Sequence, residues 1–397
     1  MLSLVSSFGR YLLKTPKAGN PIAAYLMVNE MCNLKCNMCG IWKGVYVKKD
    51  ERALTLEEIK RIIDQLAEVK LRAIVVTGGE PFLRPDLIEI LTYINQKIPY
   101  SRMNSNATLI TKDIAEGLVR SGLDEIWLSL DGYGATHDTV RGVPGTFDRF
   151  LQSVRYLNQA RKDLRSRTPS LMMNMTVSRY NFQDILKVAR FAAEHDVGEL
   201  LFGYVIDVDA GPVMETSKLL ERKEIYTYQW NSTSKENLFL ENHRLAPETL
   251  KELYQIGREH NMTIQIDPLL TTGEAKRDLR SCYFMWIYAM ITPHGYMIPC
   301  QMLDRFYLGS LRTEPFKDIW NGAEFQRVRG VYASKRGLPI CKECCIPRRN
   351  ISDQMQSMAN AKRVFFPRRI RKHFYKDSPV APSPQSAPGQ PAIQSAA

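Results

Sequence analysis

Cys32-Asn33-Leu34-Lys35-Cys36-Asn37-Met38-Cys39 places three cysteines within eight residues, directly after a short apolar segment at 21–28. The next cysteine in the chain is Cys282. A protein-held cubane iron–sulfur cluster takes four thiolates, and a structural zinc site also closes its shell with four ligands. Three ligands on one short loop therefore indicate a cluster that leaves one iron free for a further ligand.

Strand-like and helix-like segments alternate through the first 210 residues or so and predict an α/β fold. The clearest helix start is Thr55, which is placed as an N-cap with Glu58 three residues later, the pattern of a capping box. Six βα units predict a partial (β/α)6 TIM-like barrel with its functional site at the carboxyl ends of the strands. The predicted strands are 21–28, 72–77, a third that ends near 106, 125–130, 171–177 and 199–206.

Polar or glycine-bearing segments follow successive predicted strands. They are 77–81 (TGGEP), 104–108 (NSNAT) and 129–132 (SLDG), with Arg141-Gly142 shortly after the last. Glycine lets a backbone approach a ligand closely, a carboxylate such as Glu80 can hold an ammonium group, and an arginine such as Arg141 can grip a carboxylate. Together these segments predict one site for a zwitterionic ligand beside the cysteine loop.

These motifs together resemble the radical SAM superfamily over roughly residues 20–210: CxxxCxxC in the first βα loop, then GGEP, SNAT, SLDG and a later RG. The resemblance implies a [4Fe–4S] cluster whose open iron is chelated by the amino and carboxylate groups of S-adenosyl-L-methionine. One electron would then cleave this cofactor to methionine and a 5′-deoxyadenosyl radical, which abstracts a substrate hydrogen. The protein would orient cofactor and substrate and exclude water.

The resemblance also assigns residues to roles. The cluster ligands would be Cys32, Cys36 and Cys39. Ser129 and Arg141, spaced as in maturase-like members, would meet the ribose and carboxylate of S-adenosylmethionine. Met38 stands where many members carry an aromatic residue, and a thioether can also pack against the adenine. The full set of predicted cofactor contacts is Gly78, Gly79, Glu80, Asn106, Ser129 and Arg141.

A second group of cysteines lies near the C-terminus, with Gly295 five residues before Cys300. This pattern looks like the SPASM/twitch extension of radical SAM enzymes. Five cysteines cannot complete two four-thiolate shells, so we expect a single auxiliary [4Fe–4S] cluster; a structural zinc site is the alternative. Cys345 is expected to be a spare, although it could exchange with its neighbour. The predicted auxiliary ligands are Cys282, Cys300, Cys341 and Cys344.

An auxiliary cluster implies an oxidoreductase, because it can accept an electron from a product radical, relay electrons from a flavodoxin- or ferredoxin-type reductant, or position substrate. The expected substrate is a peptide or a small molecule, and no leader-peptide-binding domain is evident in the sequence. Asp207 and Asp209, just beyond the sixth strand, are candidate catalytic bases, although each is also typical of a solvated loop; His137 and His294 are expected to be structural.

One alternative is radical chemistry for carbon–carbon bond formation or group transfer in cofactor, lipid or nucleoside biosynthesis. Another is a non-catalytic metal scaffold that binds nucleic acid.

Composition and charge limit the compartment and the partners. The chain has 397 residues, eight cysteines crowded into close groups and a net charge of +12, and no apolar stretch approaches the length of a membrane span. Crowded cysteines are typical of metal ligation in a reducing cytoplasm, and the N-terminus lacks the marks of a secretory signal. Seven Lys/Arg and no acids lie between Lys362 and Lys376, with aromatic residues interleaved. This basic stretch is either a solvated segment or a contact for a membrane surface or nucleic acid.

The domain organisation follows from these patterns. We expect an N-terminal extension at 1–20, a radical SAM core at 21–210, an insertion with a connecting helix and strand at 211–280, and a SPASM/twitch-like auxiliary cluster domain at 281–350. A basic segment would cover 351–377, and a disordered tail rich in Pro, Ala, Ser and Gln would cover 378–397.

Overall fold

A computed structural model describes residues 2–43, 52–206, 208–223, 225, 243–273 and 282–344. These residues form a mixed α/β fold around one ten-stranded sheet. The first seven strands are neighbours in chain order and pair in parallel. The strands are β1 Ala23–Met27, β2 Ala73–Thr77, β3 Tyr100–Ser105, β4 Glu125–Ser129, β5 Ser170–Val177, β6 Val197–Tyr204, β7 Thr263–Ile266, β8 Tyr288–Ile291, β9 Tyr296–Ile298 and β10 Gly309–Ser310.

Helices follow the strands and cover the outer face of the sheet. The predicted capping box is confirmed, because Thr55 accepts from the backbone of Glu58, whose carboxylate accepts from the backbone of Thr55. The six predicted βα units are present in the predicted order, so the α/β partial barrel is confirmed. The helices are α1 Leu2–Leu12, α2 Leu56–Glu68, α3 Leu87–Lys97, α4 Lys112–Ser121, α5 Ala135–Arg141, α6 Thr146–Asp163, α7 Ile185–Glu194, α8 Ala210–Leu219, α9 Pro247–Glu259, α10 Pro268–Thr272, α11 Phe284–Ile287, α12 Phe316–Trp320 and α13 Ala323–Lys335.

Each barrel strand has an outer and an inner face, as the two-residue period of a strand requires. In β3, Ser101 and Met103 are fully buried, and Ser101 donates to Asn95 on α3, which marks the outer face. Arg102 and Asn104 alternate with them and keep part of their surface accessible. These alternate positions therefore line the interior of the barrel, here called the lumen.

The C-terminal segment is joined to the barrel through the sheet itself. Strand β8 pairs in parallel with β1, and β9 and β10 add antiparallel strands beyond it. His294, in the turn between β8 and β9, lies 3.1 Å from the Glu30 carboxylate just after β1. The predicted boundary at 281 is thus crossed by one continuous sheet, and the domain limits remain predictions.

The N-terminal segment is fixed against the C-terminal segment. The indole of Trp286 donates to the carbonyl of Thr15 at 2.8 Å, and that of Trp320 donates to the carbonyl of Gly19 at 2.7 Å. Among the described helices, none combines the length and the apolar character needed to cross a membrane. The predicted basic segment and tail lie outside the described residues.

Candidate active site

The cysteine loop follows β1 and rests on the end of α5. The backbone N–H groups of Lys35 and Asn37 donate to the carbonyls of Arg141 and Val140, at 3.1 and 3.0 Å. Gly142, with a φ of +70°, lies so close that a Cβ there would stand 2.3 Å from the Lys35 carbonyl oxygen. The Arg141-Gly142 pair identified in the sequence therefore packs against the cysteine loop. Position 142 requires glycine because its φ is positive and because a Cβ there would collide with the Lys35 carbonyl oxygen.

Gly78 and Gly79 support the same loop from β2. A Cβ at Gly79 would lie 2.0 Å from the Met31 carbonyl oxygen, and one at Gly78 would lie 2.4 Å from that of Asn29. The backbone of Glu80 also donates to the Met31 carbonyl at 2.7 Å. These glycines thus allow the end of β2 to pack closely against the segment that leads into the cysteine loop.

Hydrogen-bond donors surround the sulfur atoms of the loop. Cys32 Sγ lies 3.5 Å from the backbone nitrogen of Leu34 and 3.9 Å from Asn106 Nδ2. Cys36 Sγ lies 3.6 Å from Arg141 Nη1. Hydrogen bonds to sulfur stabilise thiolate ligands and tune the reduction potential of iron–sulfur clusters, so this donor set fits a cluster held by the loop.

The thiols of the loop also share a low-dielectric environment. Burial raises the pKa of Cys32, and the charge of Cys36 raises it further. Burial raises the pKa of Cys39 to about 12, again with added effects from the other two cysteines. Three crowded thiols therefore repel one another as thiolates unless cations bind them, and metal binding would release their protons.

Arg141 forms a buried ion pair beside the loop. Its Nη2 lies 2.8 Å from Asp131 Oδ2, and Asp131 Oδ1 accepts from the backbone of Thr176. Burial alone would lower the pKa of Arg141, but the charge of Asp131 and the neighbouring cysteines raise it above its usual value. Arg141 Nε is buried without a hydrogen-bond partner among the described residues, so the side chain retains donor capacity.

Glu80 lies at the centre of the strand ends and is fully buried. Its carboxylate accepts from Ser105 Oγ at 2.8 Å, from the backbone of Asn106 at 2.7 Å and from the backbone of Phe82 at 3.2 Å. Burial raises the pKa of Glu80 to about 7, against the effect of these donors. The side chain ties the end of β2 to the end of β3 and still has lone pairs for one more donor.

The two remaining predicted cofactor contacts, Asn106 and Ser129, differ in how many hydrogen bonds they already form within the protein. Asn106 is held by its neighbours: its amide donates to Asn33 and accepts from Thr108. Ser129, at the end of β4, is partly accessible, and its hydroxyl lies 3.5 Å from Asn174 Oδ1 on β5. Sequence reasoning missed Asn174, although its polar side chain interrupts an apolar strand at the register position opposite Ser129.

The two candidate bases follow β6 in the chain. Asp207 lies outside the described residues. Asp209 is exposed and precedes α8 as its N-cap residue. His137 is fully buried; its Nδ1 accepts from the backbone of Asp131, and burial lowers its pKa well below the usual value. The expectation that His137 is structural agrees with this position.

The C-terminal cysteines gather in an apolar part of the molecule. Burial raises the pKa of Cys300 well above its usual value, and the charges of Cys341 and Cys282 raise it further. Burial raises the pKa of Cys341 to about 12. Cys344 is buried, and Cys345 lies outside the described residues. No three potential metal-binding side chains of the described residues are grouped to hold a single metal ion.

A parallel partial barrel with a three-cysteine loop over its strand ends defines a class of radical enzymes that bind an iron–sulfur cluster and S-adenosylmethionine. Residues 26–192 match the radical SAM superfamily, and residues 282–345 match the iron–sulfur cluster-binding domain called SPASM. The chain belongs to the radical SAM superfamily and carries a C-terminal SPASM domain. Radical SAM proteins need a [4Fe–4S] cluster and S-adenosylmethionine, and SPASM domains bind auxiliary iron–sulfur clusters.

Several characterised proteins are similar to this chain. An AdoMet-dependent heme synthase of Methanosarcina barkeri is 29% identical over 317 residues, which cover 78% of this chain and 85% of that protein. A PqqA peptide cyclase of Granulibacter bethesdensis is 22% identical, over 78% of this chain and 76% of that protein. The crystal structure of Streptococcus suis SuiB bound to its precursor peptide SuiA shares the fold, with a TM-score of 0.58 at 15% identity, over 86% of this chain and 73% of that one. The relatives are enzymes, and this chain is a radical SAM enzyme rather than a non-catalytic scaffold.

Proposed function

We propose that this chain is a radical SAM oxidoreductase that abstracts hydrogen from a peptide or small-molecule substrate and uses one auxiliary [4Fe–4S] cluster for electron transfer. The observation that carries the proposal is the three-thiol loop whose sulfur atoms face the donors of Leu34, Asn106 and Arg141. When bound, the cluster and S-adenosylmethionine supply a 5′-deoxyadenosyl radical after one-electron reduction by a flavodoxin- or ferredoxin-type partner.

In this proposal the residues at the strand ends divide the work. Cys32, Cys36 and Cys39 hold the cluster. Ser129 and Arg141 bind the cofactor directly, because the first is partly accessible and the second keeps a buried Nε without a partner in the described chain. Gly78, Gly79 and Asn106 position the loop and its neighbours. Glu80 offers the remaining lone pairs of its carboxylate to the ammonium group of the cofactor.

The C-terminal cysteines are proposed as ligands of the auxiliary cluster: Cys282, Cys300, Cys341 and Cys344. Support comes from the charge effects among Cys282, Cys300 and Cys341 and from the burial of Cys282 and Cys344. In a shell closed by thiolates the cluster accepts or relays electrons without binding substrate. Asp207 and Asp209 remain the proposed bases, and the reducing cytoplasm remains the proposed location, supported by the free thiols of the described cysteines.

Anaerobic reconstitution tests the proposal. The loaded full-length protein, given dithionite and S-adenosylmethionine, should release 5′-deoxyadenosine and contain about eight irons per chain, as two four-iron clusters require. About four irons would contradict the auxiliary cluster, and absence of 5′-deoxyadenosine would contradict the enzymatic proposal. The matched variant Ser129→Ala should weaken cofactor binding while iron content stays the same, whereas Ser166→Ala, which lies beyond the end of α6, should change neither.

A second candidate function is tetrapyrrole synthesis, one case of the cofactor-synthesis alternative. The similarity to the heme synthase of Methanosarcina barkeri favours this function, because the match covers 85% of the length of that protein. The loaded protein should then give a change in the tetrapyrrole absorption band that depends on S-adenosylmethionine. The precursor peptide of the PqqA or SuiA type is the competing substrate class, and product mass spectrometry separates the two.

A further inference from the structure

A cationic side chain in the lumen is not used by the proposed cofactor site. Arg102 faces inward from β3, and its guanidinium lies 5.5 Å from the ring centroid of Trp127 on β4. Its Nη2 donates to the hydroxyl of Tyr25 on β1 at 3.2 Å, across the lumen face of β2. Tyr288 of β8 packs on Tyr25 with ring centroids 5.5 Å apart. These four residues are here called the lumen floor.

We propose that the lumen floor binds a carboxylate of the substrate through Arg102, and that the aromatic rings around it receive a flat apolar part of the same molecule. This inference rests on the proposed function, because it assigns a substrate class to the same barrel. A guanidinium presents several N–H donors in a planar fork that matches a carboxylate.

The donors of Arg102 are incompletely used. Its Nε is buried without a hydrogen-bond partner, and within the described residues it forms no ion pair. A buried guanidinium N–H without a hydrogen-bond partner is costly unless an anion pairs with it. A substrate carboxylate would complete the hydrogen bonds that the protein leaves open.

Burial alone would lower the pKa of Arg102, but the neighbouring tyrosines and the charge of Glu125 raise it above its usual value. Even so, no acid among the described residues forms an ion pair with Arg102. Glu125, opposite Arg102 in the β3–β4 register, forms a hydrogen bond with Tyr100. Glu199, on the inner face of β6, accepts from Gln265 of β7 at 2.5 Å. Glu125 is thus hydrogen-bonded to a tyrosine and Glu199 to an amide on β7, and neither fills the open Nε of Arg102.

The lumen floor lies below the proposed radical site and beside the SPASM segment. Arg102 is three residues before Ser105, whose hydroxyl binds Glu80, so it lies roughly 10 Å along the strand from that contact. Phe284, close after Cys282, stacks on Tyr25 with centroids 6.0 Å apart. A substrate held by its carboxylate here would extend towards the cysteine loop, between the two groups of cysteines.

Binding of simple aromatic probes to the cluster-loaded protein tests the site without turnover. Benzoate should quench the fluorescence of Trp127, and Trp127→Phe should remove that response. Arg102→Gln should weaken benzoate binding by about tenfold or more, as loss of a charge-assisted pair implies, and Arg102→Lys should retain part of it. Arg120→Gln, at a largely exposed arginine of α4, is the matched control and should bind as the wild type does.

The outcomes separate the alternatives. Benzamide, the same ring without the charge, should bind weakly to every variant. Equal binding of benzoate by wild type and Arg102→Gln, or of benzamide and benzoate by wild type, overturns the proposal. Phenyl phosphate bound as tightly as benzoate overturns the carboxylate assignment. If Arg102→Gln fails to fold by circular dichroism, Arg102→Lys decides the question. A wild type that releases no 5′-deoxyadenosine yet binds benzoate through Arg102 would remove the proposed function and leave this site standing.

Discussion

The two groups of cysteines lie in different surroundings. Around the N-terminal loop, the sulfur atoms face an arginine, an asparagine amide and a backbone N–H, and the arginine is paired with a buried aspartate. In the C-terminal group, the backbone N–H groups of Met302 and Leu303 donate to Cys300. Lys14 lies nearby, but it donates to the carbonyl of Cys282 and lies over the ring of Tyr11.

This difference matches the different number of thiols. A loop with three ligands needs polar groups for a charged non-protein ligand, and it has them in Arg141, Glu80 and Ser129. The C-terminal group, for which we propose a shell closed by four thiolates, needs only burial and backbone donors. The comparison favours the proposed division between a reactive cluster at the N-terminal loop and an electron-transfer cluster at the C-terminal group, because their surroundings differ as well as their cysteines.

Removing one cysteine from each group gives the largest test of this separation. Cys36→Ala and Cys282→Ala should each lose about four irons per chain, because each removes a proposed ligand of one four-iron cluster. Cys36→Ala should abolish 5′-deoxyadenosine formation, whereas Cys282→Ala should retain it and lose substrate oxidation. Iron assay and chromatography check both variants. Abolition of 5′-deoxyadenosine by both would show that the two regions do not act separately.

A methyl group added at Gly79, which packs against the segment leading into the N-terminal loop, should have the next largest effect on iron content. Gly79→Ala would place a Cβ 2.0 Å from the Met31 carbonyl oxygen, so the chain entering the loop must shift. We expect loss of most of the iron held by the loop, with the C-terminal cluster retained, measured by iron content and electron paramagnetic resonance. Gly211→Ala, where no atom lies within 4 Å, is the control and should load normally. Normal loading of Gly79→Ala would contradict the close packing.

The buried ion pair beside Cys36 sharpens the comparison further. Arg141→Met leaves Asp131 buried without its partner, and loss of one member of a buried pair costs about 3–5 kcal/mol. Urea unfolding of the apoprotein should show this loss, and the double variant Arg141→Met/Asp131→Asn should recover part of it. No recovery in the double variant would mean that Arg141 stabilises the loop through Cys36 rather than through Asp131.

The smallest effect concerns the contact that joins the two regions. Arg52 holds the pKa of Glu58 at about 2, well below its usual value, and Arg312 of the C-terminal segment lies 3.5 Å from the same carboxylate. Because the folded-state pKa is lowered, the stabilisation is complete above about pH 5 and is lost as the pH falls towards 2. Glu58→Gln should flatten this part of the stability–pH curve, measured by thermal unfolding. Glu57→Gln, at a largely exposed neighbour, should leave it unchanged.

Local sequence patterns predicted the order of the βα units and the capping box of α2, because strand and helix periodicity and cap residues act over short distances. They also indicated which strand ends carry polar groups. They did not indicate that Asp131 pairs with Arg141, that Asn174 lies beside Ser129, or that Arg102 reaches Tyr25. The Ser129–Asn174 contact depends on the register of the neighbouring strands β4 and β5, and the Asp131–Arg141 pair depends on how α5 packs over the end of β4. The Arg102–Tyr25 contact depends on the curvature of the barrel, because it joins the non-adjacent strands β3 and β1.

The pairing of β1 with β8 also has a consequence for synthesis of the chain. Ala23 of β1 takes its place beside Tyr288 of β8, so one edge of the first strand stays unpaired until most of the protein has left the ribosome. Contacts between such distant segments slow folding, and an uncovered strand edge favours aggregation. The strand that leads into the cysteine loop therefore reaches its final pairing only after β8 has been synthesised.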